Sequence, residues 1–189
     1  MARRSSRWND RRFAVMMTVG VFLIGAAFIV PLAANRDGDS SSQAAAVLPG
    51  TARYPAPALR LTNLNGEPVE LADYLGEVVL INNWATWCPP CRAEMPELLA
   101  YYQNHAAQGF VIIAINAGEP ADDVRAFVDD FGLTFPVWLD PSLQALSAFQ
   151  NPNLPSSYVL DRDGMVRLAW TGPVNRAALE QYVTPLLER

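Results

Sequence analysis

VVLINNWATWCPPCRAEMP, residues 78–96, is the stretch on which the reading of the fold turns. Its first part, Val78 to Asn82, is a nearly continuous apolar, β-branched run, the pattern of a strand covered on both faces of a sheet. Its second part carries Cys88 and Cys91, the only two cysteines of the chain, and opens an amphipathic stretch that reads as a helix from near Cys88 to about His105. A buried strand feeding a helix through a short loop is the unit from which α/β folds are built.

The same alternation continues outward in both directions. Upstream, Ala58 to Thr62 and Pro68 to Leu71 form a predicted hairpin around the turn dipeptide Asn65-Gly66. Downstream, Phe110 to Asn116 is a second buried strand, and Pro120 to Phe131 an amphipathic helix with Asp122 and Asp123 placed to favour its N-terminal dipole. Pro136 to Leu139 reads as a short strand and Pro141 to Phe149 as a short helix. Ser157 to Asp161 and Met165 to Trp170 flank Asp163-Gly164 as a hairpin, and Asn175 caps a closing helix that runs to Glu188. No internal repeat is visible.

Ahead of this domain, residues 13–34 (FAVMMTVGVFLIGAAFIVPLAA) contain no charge. As a helix they would span roughly 33 Å, enough to cross a bilayer. Arg3, Arg4, Arg7, Arg11 and Arg12 precede the segment, against the single acid Asp10. The positive-inside rule therefore keeps residues 1–12 in the cytoplasm and sends everything after Ala34 to the exported side. A cleaved signal peptide is the competing reading, but the run exceeds the usual h-region of about 7 to 15 residues. Residues 35–57, rich in Ser, Ala, Gly and Pro, read as a linker to a domain at 58–189.

The chain has 189 residues, 14 Arg and no Lys; beyond the apolar segment nine Arg face eighteen acids, a net charge of about −9. Such a balance argues against nucleic acid as a partner.

Three chemistries compete for the cysteine pair. A structural disulfide would close so short a loop that little stability follows from it. A zinc site needs about four ligands, to which the chain adds only His105 and carboxylates; His105 reads instead as a helix-end residue. A redox dithiol needs nothing further. Cysteines three apart at a helix start share one face, and the positive end of the helix lowers the pKa of the first. Cys88 is then the nucleophile, and Cys91, more buried, the residue that resolves the mixed disulfide. Pro89 and Pro90 withhold two N–H donors from the thiolate, and Arg92 acts in the opposite direction.

The run from Asn82 to Pro96 resembles the active-site segment of the membrane-anchored, thioredoxin-like oxidoreductases of the TlpA, ResA and CcmG type, in the redoxin (AhpC/TSA) superfamily. The likeness covers about 130 residues, from Ala58 to the C-terminus. It implies an α/β, thioredoxin-like fold with an extra strand–helix insertion, here Phe110 to Phe131, and an N-terminal β-hairpin, preceded by one transmembrane helix. It implies reduction of disulfides in exported partners such as apocytochrome c, with electrons from a transmembrane donor and no cofactor or metal. Pro96 matches the proline that kinks the active-site helix. Pro155 matches the cis-proline beside the dithiol, and Leu154 before it offers its backbone to an extended substrate. Together with Trp87, Pro89 and Pro90 these form the expected substrate contacts. Glu94 matches an acid placed near the dithiol, where, if buried, it would exchange a proton with Cys91. Asn82 stands where thioredoxin carries a buried acid. Asn83 departs from the family pattern, and a polar group in a buried strand needs partners.

Other redox and binding roles remain as alternatives: a general disulfide oxidase or isomerase, a thiol peroxidase, or a copper(I)-handling module. The peroxidase pattern P-x-x-x-T-x-x-C is absent, since Thr86 lies two residues before Cys88 and position 83 is Asn.

Overall fold

The structure, a computed structural model, describes residues 48–188. The transmembrane segment expected at 13–34, the N-terminus before it and most of the linker lie outside the described residues. No helix among the described residues is long and apolar enough to cross a membrane.

Eight strands of the described residues form one sheet: β1 (Gly50–Pro55), β2 (Arg60–Asn63), β3 (Pro68–Glu70), β4 (Val78–Trp84), β5 (Phe110–Ala117), β6 (Val137–Asp140), β7 (Ser156–Leu160) and β8 (Met165–Thr171). Their order across the sheet is β1-β8-β7-β4-β5-β6-β2-β3. Among the described residues five α-helices accompany them: α1 (Pro89–His105), α2 (Ala121–Phe131), α3 (Gln144–Ala148), α4 (Arg176–Tyr182) and α5 (Thr184–Leu187).

The centre of the sheet is β4, buried at every residue. It runs parallel to β5 from Val78 opposite Phe110 to Trp84 opposite Asn116, and antiparallel to β7 on its other side. Alternate side chains of β4 enter opposite cores, as the two-residue period requires. Val78, Leu80 and Trp84 pack with Met95, Leu98 and Tyr101 of α1, Val124 and Phe127 of α2 and Leu179 of α4. Val79 and Ile81 pack with Leu59, Leu61, Trp138 and Phe149 on the reverse face. This double covering is why β4 and β5 read as nearly continuous apolar runs.

Two expectations change. The supposed linker ends in structure: Gly50–Pro55 is an edge strand, antiparallel to β8. Its residues are almost all exposed, so it has no apolar alternation to betray it, and the backbone ladder holds it in place. The closing helix is broken into α4 and α5, because Pro185 in the first turn of α5 cannot donate the bond that would continue α4. Asn175 does cap α4, accepting from the Ala178 N–H at 2.9 Å. Phe110 to Phe131, expected as the extra strand and helix, are β5 and α2, with β5 an interior strand paired along its length with β4. The Asn65-Gly66 and Asp163-Gly164 turns stand as read, with both glycines at positive φ.

Candidate active site

The loop Ala85–Trp87 leaves the C-terminal end of β4 and delivers Cys88 to the N-cap of α1. Cys88 has extended backbone angles there, and its Sγ accepts from the Cys91 N–H at 3.3 Å. Pro89 and Pro90 occupy the first turn, where a missing N–H breaks no intrahelical bond. The result is a sulfur placed at the positive end of a 17-residue helix. Cys88 and Cys91 are joined as a disulfide with Cα atoms 5.3 Å apart. Both are buried, Cys88 only marginally less than Cys91 at 3% against 0%, so the expected difference in exposure is slight in this oxidised state. The difference lies in their surroundings: Trp87 is 67% exposed, and Pro89 and Pro90 are exposed as well, which sets Cys88 among surface side chains.

Glu94 follows Cys91 by one turn on the same helix and is fully enclosed, at 2% exposure. Its Oε1 accepts from Asn82 Nδ2 and its Oε2 from the Val174 N–H, both at 2.8 Å. Burial pushes its pKa up to about 7, against the pull of the Val174 and Asn82 hydrogen bonds. A solvated first-turn glutamate is thereby excluded. Asn82 Nδ2 also donates to Ser157 Oγ at 3.0 Å. Asn83, on the other face of β4, finds its partner in Ser156 Oγ at 3.2 Å.

The Leu154–Pro155 peptide bond is cis, and Pro155 immediately precedes Ser156, which pairs with Asn83 of β4. The register thus sets Pro155 beside the end of β4 from which the dithiol loop departs. Leu154 packs against the same cluster that contains Cys88 and Cys91, and the Pro155 carbonyl accepts from the Gly172 N–H at 2.8 Å. All the residues singled out from the sequence for the site therefore gather at one end of the sheet.

Two features escaped the sequence reading. Glu119, in the loop between β5 and α2, accepts from the Thr86 N–H at 2.7 Å, from the Thr86 hydroxyl, and from Asn116 Nδ2 at 2.7 Å. It pins the loop that carries Trp87 and Cys88. Its distance of 33 residues from Thr86 left no local pattern by which to find it. The Arg92 guanidinium is held in place, donating to the Thr86 carbonyl at 3.2 Å and lying 5.1 Å from the ring centres of both Phe127 and Phe131. His105 is the last residue of α1, as expected, stacked on Tyr101 and 3.5 Å from Glu180.

Comparison with known proteins follows the same lines. The family model for AhpC/TSA matches residues 52–169. The thiol-disulfide oxidoreductase ResA of Geobacillus kaustophilus is 39% identical over 128 residues, covering 68% of this chain and 74% of that protein. ResA of Geobacillus thermodenitrificans is 36% identical over 169 residues, covering 89% of this chain and 93% of that one. Among solved structures, a thiol:disulfide interchange protein of the thioredoxin family from Chlorobium tepidum superposes with a TM-score of 0.65 at 28% identity, over 73% of this chain and 99% of its own. A buried cysteine pair at a helix N-cap, in a thioredoxin-like sheet shared with these proteins, makes the chain a member of the AhpC/TSA family of the TlpA, ResA and CcmG type, and a thiol–disulfide oxidoreductase.

Proposed function

We propose that the chain is a protein-disulfide reductase tethered by residues 13–34 on the exported side of a membrane, working through Cys88 and Cys91. The observation that carries this reading is the seating of Cys88 Sγ at the N-cap of α1, accepting the Cys91 N–H, where a thiolate is stabilised by unpaired donors and the helix dipole. In the reduced protein the Cys88 thiolate attacks a sulfur of the partner's disulfide and displaces one partner thiolate. Cys91 gives its thiol proton to the Glu94 carboxylate, and the Cys91 thiolate attacks Cys88 Sγ, expelling the second partner thiolate. The partner gains two electrons, and the protein is left as the Cys88–Cys91 disulfide. Two electrons from a transmembrane donor would restore the dithiol.

Trp87, Pro89 and Pro90, exposed around Cys88, and the half-buried Leu154 before Pro155 would offer the surface for an extended partner segment. An exported protein such as apocytochrome c fits the type of partner that the family resemblance implies. The tether is supported by the uncharged run at 13–34 and the arginines before it.

The direction of electron flow is tested by the reduction potential of the purified full chain. A value below about −250 mV fits a reductant, whereas one near −120 mV, the range of strong oxidants, would overturn it.

A further inference from the structure

Asn82 is completely buried in β4, and its amide nitrogen serves two acceptors, Glu94 Oε1 at 2.8 Å and Ser157 Oγ at 3.0 Å. An amide carries two N–H donors, so one goes to each. Ser157 lies directly opposite Asn82 in the antiparallel β4–β7 pair, which places the two side chains on one face; Ser157 is completely buried too. The oxygen of the same amide, Asn82 Oδ1, is buried and has no hydrogen-bond partner among the described residues. Turning the amide over would direct that oxygen at the carboxylate. Two acceptors can face each other only if the carboxyl is protonated. The orientation present therefore favours ionised Glu94, as does the Val174 N–H on its other oxygen. Cys91 is the titratable neighbour on the helix of Glu94 itself. β4 contributes Asn82, β7 contributes Ser157 through it, and the segment before α4 contributes the Val174 N–H; none of these carries a charge.

We propose that Asn82 and Ser157 are positioning residues of the redox centre: Ser157 accepts one N–H of the Asn82 amide and so holds the other toward Glu94, and that amide sets the pH at which Glu94 takes the proton of Cys91. The inference rests on Glu94 being the proton partner of Cys91. It accounts for two adjacent polar side chains kept in an otherwise apolar face. The balance on Glu94 agrees, with desolvation working against the Asn82 and Val174 hydrogen bonds.

The test uses the full chain with Cys88→Ser, so that Cys91 is a lone thiol. Its rate of alkylation by iodoacetamide is followed from pH 5 to pH 10, and the Glu94 carboxyl is titrated by carbon NMR in the same samples. Asn82→Ala removes a donor from the carboxylate and is expected to move both the Glu94 midpoint and the matching step in the Cys91 profile upward by roughly one pH unit, a tenfold change in proton affinity. Ser157→Ala removes only a hydroxyl, keeps the packing, and should move both in the same direction by less; it decides the matter if Asn82→Ala does not fold. A Glu94→Gln profile that lacks the step, beside Asn82→Ala and Ser157→Ala profiles that keep it at the wild-type pH, would overturn the positioning role while leaving Glu94 as the proton partner. A Cys91 profile unchanged even by Glu94→Gln would instead remove the proton partnership itself, and the inference with it.

Discussion

Glu94 sits where a carboxylate is least comfortable, and stability should report it. In the unfolded chain the group titrates near its ordinary 4.5, and in the folded one near 7. Below 4.5 it is protonated in both states. Between 4.5 and 7 the folded chain holds a proton that the unfolded chain has released, so the contribution of this group to stability is present at low pH and lost as pH rises through 7. At about 1.4 kcal/mol per pH unit, the loss is roughly 3 kcal/mol. Glu94→Gln should lack it, so urea unfolding of the oxidised protein should show the variant gaining on the wild type by about that amount between pH 4.5 and pH 8. Parallel curves would mean that Glu94 is not held as described. Of this site, the cysteine pair at the helix start was legible because helix-start spacing is a local property. The state of Glu94 was not, because it depends on Val174, 80 residues away.

At the scale of elements, the loop of residues 85–87 is secured from outside itself by Glu119. Replacing Glu119 by Ala leaves the Thr86 N–H and the Asn116 amide without their acceptor, at a cost of about 1–3 kcal/mol. It should also lower the rate of disulfide reduction by roughly tenfold through a displaced Cys88, as measured with insulin as substrate. A variant with wild-type turnover would show that the loop holds its shape unaided. The cap of α4 offers a simpler check: Asn175→Ala should cost about 1 kcal/mol in urea unfolding with no change in activity. That cap was readable from the sequence, as were the Asn65-Gly66 and Asp163-Gly164 turns, since each is decided by residues close to one another. The break between α4 and α5 follows from Pro185 alone, but the amphipathic pattern runs through it and conceals it.

At the scale of the described domain, the apolar runs of β4 and β5 and the helix between them fixed the α/β reading, because burial on both faces leaves a mark on every residue. The edge strand β1 left none. Its outward side chains are solvated, and only its pairing with β8 distinguishes it from the linker composition around it. A chain beginning at Ala56 would leave β8 as a bare edge, and should unfold at lower urea and aggregate more readily than one beginning at Leu48. Equal midpoints would show that β1 adds nothing to the sheet.

The central claim is the division of labour in the dithiol, and it is tested most directly by trapping. The full-length Cys91→Ala variant, expressed in place of the wild type and recovered under acid quench, should carry its partner as a mixed disulfide at Cys88, released by dithiothreitol. Cys88→Ala should carry none. Mixed disulfides held by Cys88→Ala and absent from Cys91→Ala would contradict the assignment of Cys88 as the attacking residue and Cys91 as the resolving one.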